Sequence, residues 1–174
     1  MKQWLQKHSI AITLLPVLAV MGMIFWFSAQ TGASSGALSG RITARVVRFF
    51  VPDVDAFSEA DRQALFYTVS TIIRKGAHFT EFALLGITLM CHLQQLRKRI
   101  SVPYPWLWAW MVGTAYAVTD ELHQNFVGGR HPAVTDVLID SSGVITGVLL
   151  VMGLLYWRKR RKRYGQTDVF RKKT

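Results

Sequence analysis

Cysteine occurs once in the 174 residues, as Cys91, and the 10 acidic residues are outnumbered by 21 lysines and arginines. A single thiol excludes a disulfide-framed domain and any multi-cysteine zinc or iron–sulfur site within one chain. Charged residues make up 18%, short of the roughly 25% typical of soluble domains. With 51% of residues apolar, a disordered polar chain is excluded as well. Between Ser9 and Gly40 there is no Asp, Glu, Lys or Arg at all.

The net charge of +11 raises the question of nucleic acid. Its distribution answers against it. Residues 158–174 hold nine Lys/Arg and one Asp, so most of the excess sits in one short tail after an apolar segment. That placement reads as a topology signal or a lipid-headgroup contact, not as a DNA arm.

Four apolar runs are long enough to cross a bilayer at about 20 residues each, over about 10–29, 67–93, 104–124 and 134–157. The fold class expected is all-α: a polytopic membrane bundle of four transmembrane helices. Residues 1–157 form the membrane domain and 158–174 a basic cytoplasmic tail. Pro16 should kink the first helix, which neighbouring helices can accommodate. The first run is longer than a secretory h-region and no A-x-A site follows, so it reads as an uncleaved anchor. Lys2 and Lys7, then Arg97, Lys98 and Arg99, then the tail fall on one side of such a bundle. By the positive-inside rule both termini are cytoplasmic, and the 30–66 and 125–133 connections face outward.

The long connection begins with a Ser/Gly-rich stretch, Gln30–Gly40, expected to be irregular. Arg41, Arg45 and Arg48 then recur at helical spacing, with Ile42, Val46, Phe49 and Phe50 on another face. A short amphipathic helix fits, either lying in the interface or presenting its arginines to water. Ser58-x-x-Asp61 resembles a capping box before the second span. No internal repeat is visible, and the basic tail is expected to be disordered beyond Gly165.

Ionisable residues inside the runs are the most informative feature. Arg74, His78 and Glu81 share a helix face, with Lys75 beside them. Asp120, His123 and Gln124 share another, with Tyr116 a turn deeper and Glu121 to one side. Asp136 and Asp140 continue into Gly143 and Gly147 on one stripe; small residues there let a second helix approach and turn the acids into the bundle. All three groups fall at the outward ends of their helices, whereas the inward halves contain almost nothing ionisable except His92. Charges in a membrane cost at least about 2.5–3.5 kcal/mol each, so several together mean mutual pairing or a polar pocket. A purely structural ion-pair network, Glu81 with Arg74 and Asp140 with His78, is the plain alternative.

His78-x-x-Glu81 and Asp120-x-x-His123 have the i, i+3 spacing of carboxylate-bridged bundle sites. Arg74 and Lys75 beside them would repel a cation, so neither metal nor cofactor is expected. Basic groups next to acids suit a phosphate headgroup or a proton-sharing pair better. Arg130, after Gly128 and Gly129, is a candidate anion clamp or a plain interfacial anchor.

The same residues resemble the VanZ-like family of bacterial membrane proteins. The resemblance rests on Phe27-Ser28-Ala29-Gln30-x-Gly32, Arg74-Lys75-Gly76-Ala77-His78-Phe79-x-x-Glu81, Asp120-Glu121-x-His123-Gln124-x-Phe126, Gly129-Arg130, Asp136-x-x-x-Asp140 and the Gly143/Gly147 helix. It departs at Gly128, where a Pro-Gly-Arg turn is usual, and at Asp140, where Asn is frequent. The resemblance implies a multi-span envelope protein whose founding relative gives low-level resistance to teicoplanin, a lipid-tailed glycopeptide; it supplies no mechanism.

Four functions compete at this stage. The first is a non-enzymatic envelope protein whose outward pocket binds a lipid headgroup or a lipid-linked wall precursor. Arg74, Lys75, His78, Glu81, Asp120, Glu121, His123, Gln124, Arg130, Asp136 and Asp140 are its candidate ligand-binding residues. The second is an intramembrane enzyme acting on an envelope lipid or peptidoglycan precursor, with His78 or His123 as general base and Glu81 or Asp120 as its partner. No nucleophile motif supports it; Ser141 and Ser142 follow Asp140 without triad context. The third is a small transporter or proton-coupled carrier using the same carboxylates, disfavoured by the near absence of ionisable groups in the inward halves, and the fourth is purely structural. Membrane lipids are the expected partners, nucleic acid is not, and the oligomeric state is not legible.

Overall fold

A computed structural model describes the backbone of residues 2–129 and 133–171 and the side chains of 10–129 and 133–163. The described residues form five α-helices and no strand: α1 Lys2–Ser28, α2 Gly32–Phe50, α3 Glu59–Leu96, α4 Pro105–Gln124 and α5 Val134–Arg171, with a 3₁₀ turn at Val54–Ala56. Two stretches are long and apolar enough to cross a membrane, Ile10–Ser28 in α1 and Val134–Arg163 in α5. Over their candidate spans α3 and α4 carry ionisable residues, which lowers their apolar character.

Local signals account for the starts of α3 and α4. The Ser58 hydroxyl accepts from the Asp61 backbone N–H at 3.2 Å and donates to the Asp61 carboxylate at 2.6 Å, so the expected cap starts α3. Pro105 opens α4, where its missing N–H costs nothing. Tyr104 before it has a positive φ of 47°, unusual for a residue with a side chain. In α1, Pro16 lies inside a continuous helix.

Two expectations are corrected. Gln30–Gly40 is not irregular, because α2 begins at Gly32. Thr31 caps it by accepting from the Ser34 N–H at 3.3 Å. The Ser39 and Thr43 hydroxyls donate back to the carbonyls of Ser35 and Ser39, at 3.0 and 2.8 Å, which removes the polar cost of serine in a helix. Ser35, Ser39, Thr43 and Val47 recur at i+4 and form its inward stripe, while Ile42, Phe49 and Phe50 are exposed. The tail is the second correction: α5 continues to Arg171 with no break after Trp157 or Gly165. Lysine and arginine are good helix formers, and proline is absent from the whole of α5.

Side-chain pairings give the helix directions. Lys75 meets Asp136 and His78 meets Asp140, so α3 and α5 run parallel. Glu121 of α4 bonds Ala133 at the start of α5, Asp120 approaches Asp140 and Gly113 faces Val144, so α4 runs against α5. Tyr116 donates to the Met21 carbonyl at 2.7 Å and His123 stacks on Phe25, so α1 runs with α4. The α1 start, the Arg97–Arg99 segment and the α5 end therefore share one end of the bundle. The α1–α3 and α4–α5 connections share the other.

Glycine sets the closest approach. A Cβ on Gly143 would run into the Phe79 carbonyl oxygen, one on Gly147 into that of Ala83, and one on Gly86 into that of Val144. The backbones of α3 and α5 thus touch along three successive turns, with Val17, Ile24, Phe82, Leu85, Val144 and Val148 filling the core around them.

Candidate functional site

The close contact between α3 and α5 places the acids of α5 against the basic face of α3. Lys75 Nζ lies 3.1 Å from Asp136 Oδ1, and one turn on His78 Nδ1 lies 3.9 Å from Asp140 Oδ1. The pairing of Asp140 with His78 anticipated from spacing is present. Asp140 is only 1% exposed, and neither of its carboxylate oxygens has a hydrogen-bond partner.

From α4, Asp120 arrives at the same junction, 3% exposed, and accepts from the Gln124 amide at 3.0 Å. One donor atom each from His78, Asp120 and Asp140 falls within 4.8 Å of the other two. The cluster takes one residue from each of the i, i+3 pairs singled out in the sequence and joins them to Asp140. His78 and Asp120 come together without needing Glu81 or His123.

His123 departs from the expected face. It turns toward α1, where its ring stacks on Phe25 with centroids 4.7 Å apart. Tyr116, seven residues earlier and on the same side of α4, also points to α1. Glu121 is buried and accepts from the Ala133 backbone N–H at 2.6 Å, fastening the α4–α5 connection to α4. Glu81 is partly buried on α3. Arg130 lies outside the described residues.

Beside this junction is a cavity of about 350 Å³. One wall is α2, with Gly32, Ser35, Gly36 and Ser39; the other is α3, with Tyr67, Ser70, Thr71, Arg74 and His78; Gln124, Gly129 and Asp136 close the end. Gly32 N–H donates to the Gly128 carbonyl at 3.1 Å, and a Cβ on Gly32 would strike the Gly129 carbonyl, so this corner admits only glycine. Of the sequence candidates, Arg74, His78, Gln124 and Asp136 line the cavity, and Lys75, Asp120 and Asp140 adjoin those lining residues. Among the described residues no carboxylate lies within ion-pair distance of Arg74. The hydroxyl wall of α2 was missed in the sequence, although the i+4 recurrence of Ser35, Ser39 and Thr43 was the available signal.

The sequence that builds these elements matches a known family. The family model described as VanZ/LLP1 matches residues 13–156, most of the chain. The chain belongs to the VanZ/LLP1 family. No curated protein and no solved structure matches it. The matched region covers most of both apolar stretches and every cavity-lining residue, and ends one residue before Trp157. This VanZ-type protein is thus an all-helical membrane protein of the envelope with a polar cavity at one end of its bundle.

Proposed function

We propose that the cavity binds the phosphate-bearing headgroup of a membrane lipid or lipid-linked wall precursor. The observation that carries the reading is Arg74, which lines a cavity rich in hydroxyls and glycines and, among the described residues, has no carboxylate within ion-pair distance. A guanidinium offers a fork of donors that matches phosphate oxygens. Ser35, Ser39, Ser70 and Thr71 add hydroxyl donors, and the glycines allow close backbone approach. Lys75 is held by Asp136 and contributes less than the sequence suggested.

In this reading the chain crosses the bacterial cytoplasmic membrane four times, through α1, α3, α4 and α5, with both termini cytoplasmic. The alternating helix directions support it, as do the basic segments gathered at the end of the bundle opposite the cavity. Asp120 and Glu121 of α4 are buried and His78 of α3 faces the buried Asp140, which keeps the cost of these groups acceptable. The cavity then opens toward the outer face, where lipid-tailed glycopeptides act.

An enzymatic reading gains no observation of comparable weight. The Ser141 hydroxyl beside Asp140 is engaged by Trp110 Nε1 at 3.0 Å and by the Thr114 hydroxyl at 2.9 Å.

The test uses protein purified in detergent and washed free of loose lipid. Wild type should retain phosphorus-containing lipid identifiable by mass spectrometry. Arg74→Ala should retain at least about tenfold less, the loss of one strong charge-assisted contact, and Arg74→Lys should fall between. Equal phosphorus in wild type and Arg74→Ala sinks the reading. A glycopeptide-sensitive host expressing the two forms at matched levels then tests whether teicoplanin, and not vancomycin, distinguishes them.

A further inference from the structure

We infer that His78, Asp120 and Asp140 form a binding site for a first-row divalent cation where α3, α4 and α5 meet. The site is separate from the headgroup reading and stands or falls without any lipid.

Geometry comes first. The three donors sit on three different helices: α5 is held against α3 beside them through Gly143 on the Phe79 carbonyl, and α4 against α5 two turns from Asp120 through Gly113 on the Val144 side chain. Their donor atoms lie within 4.8 Å of one another. Two ligands about 2.1 Å from a tetrahedral ion stand about 3.4 Å apart. The 3.9 Å from His78 to Asp140 closes to that value with a small carboxylate rotation.

Chemistry gives the second, independent reason. Asp140 is almost wholly buried, and both its oxygens lack a hydrogen-bond partner. Burying a carboxylate without partners is costly, and a bound cation is one of the few arrangements that removes the cost. Asp120, by contrast, has one oxygen oriented by Gln124, the kind of outer support that metal-ligating carboxylates receive.

Charge balance points the same way. Asp120, Glu121, Asp136 and Glu81 all act electrostatically on Asp140. The basic residues that argued against a cation in the sequence do not oppose it here. Lys75 is bound to Asp136, and Arg74 is exposed along the cavity. With Asp136 matched by Lys75, the acids that remain beside Asp140 are Asp120, Glu121 and Glu81.

One imidazole nitrogen with two carboxylates selects Mn²⁺, Fe²⁺ or Zn²⁺ over Ca²⁺ or Mg²⁺, which prefer all-oxygen ligands. Because His78 also lines the cavity wall, the ion's remaining positions would face that cavity and accept water or an anionic oxygen.

The test takes the full-length protein in lipid-free detergent, stripped with chelator and titrated with Mn²⁺ under electron paramagnetic resonance. Wild type should bind one Mn²⁺ per chain with nitrogen coupling from an imidazole, and Zn²⁺ should displace it. Asp140→Asn and Asp120→Asn should each weaken binding at least about tenfold, whereas His92→Gln, at the far end of the bundle, should leave it unchanged. Absence of stoichiometric Mn²⁺, or unaltered affinity in both aspartate variants, overturns the site; a proton shared between the two carboxylates then accounts for the junction. Where an aspartate variant does not fold, the nitrogen coupling decides. It must be present in wild type and absent in His78→Gln, and its persistence in that variant also overturns the site.

Discussion

Lys75 and Asp136 form the upper rung of a ladder between two parallel helices, with Nζ and Oδ1 3.1 Å apart and His78 facing Asp140 one turn below. The rung divides the adjacent pair Arg74 and Lys75 between two tasks. The lysine fastens α5, and the arginine is left to the cavity. Both partners of the rung are about a third exposed, and such pairs contribute up to about 1 kcal/mol. Lys75→Gln should therefore lower stability by no more than about that amount and leave lipid phosphorus near the wild-type level. A loss as large as that of Arg74→Ala would show that the lysine is itself a headgroup ligand.

Gly147 is the position where α3 and α5 tolerate least. A Cβ there meets the Ala83 carbonyl, a backbone atom that cannot swing aside. Gly147→Val should cost about 1–3 kcal/mol or more, the range for forcing extra atoms into a packed interior. Gly153, on the same helix, has open space where its Cβ would lie. Gly153→Ala should be neutral or slightly stabilising, and thermal unfolding in detergent compares the two. Equal melting temperatures would mean that the helices are not in contact at Gly147.

Glu121 was a candidate ligand, but its carboxylate accepts from the Ala133 N–H. Glu121→Ala would orphan that donor at a cost of about 1–3 kcal/mol. Amide exchange at Ala133 should accelerate about tenfold or more, while Glu121→Gln, which keeps an acceptor, should show a smaller change. Unchanged exchange in Glu121→Ala would contradict the structural role.

A pH effect is expected at the start of α3, outside the proposed spans. The Gln63 side-chain hydrogen bond, followed by the nearby Arg62 charge, holds the Glu59 carboxyl below its ordinary value. A lowered value stabilises the folded form above the unfolded carboxyl's titration and loses that stabilisation as pH falls through the folded one. The first turn of α3 should keep these contacts until the pH is below the normal glutamate range. Gln63→Ala should move the Glu59 titration, followed by carbon NMR of the carboxyl, upward. A titration that stays put would leave the hydrogen bond without influence.

Several of these relationships were legible beforehand because they are local. The Ser58–Asp61 cap is a three-residue signal, and the Asp136, Asp140, Gly143, Gly147 stripe follows from helical spacing alone. The stretch 30–40 was not legible, since glycine and serine favour loops in isolation. It is helical because Ser39 meets Ser70 of α3 and Gly32 meets the α4–α5 connection. His123 failed for a related reason. Residues three apart on a helix lie about 60° apart around its axis. Whether His123 joins Asp120 or turns to Phe25 depends on which neighbour fills each side.

The sequence by itself determined the helical class, the apolar runs of α1 and α5, the one-sided distribution of basic residues and the family motifs. Periodicity and composition carry that information within one segment at a time. Tertiary structure decided that α3 pairs with α5, that Lys75 is occupied, that Asp140 is buried beside His78 and Asp120, and that α2 forms a cavity wall. Each depends on the relative rotation and height of two helices. Those are settled by contacts such as Gly147 on Ala83, between residues far apart in the chain.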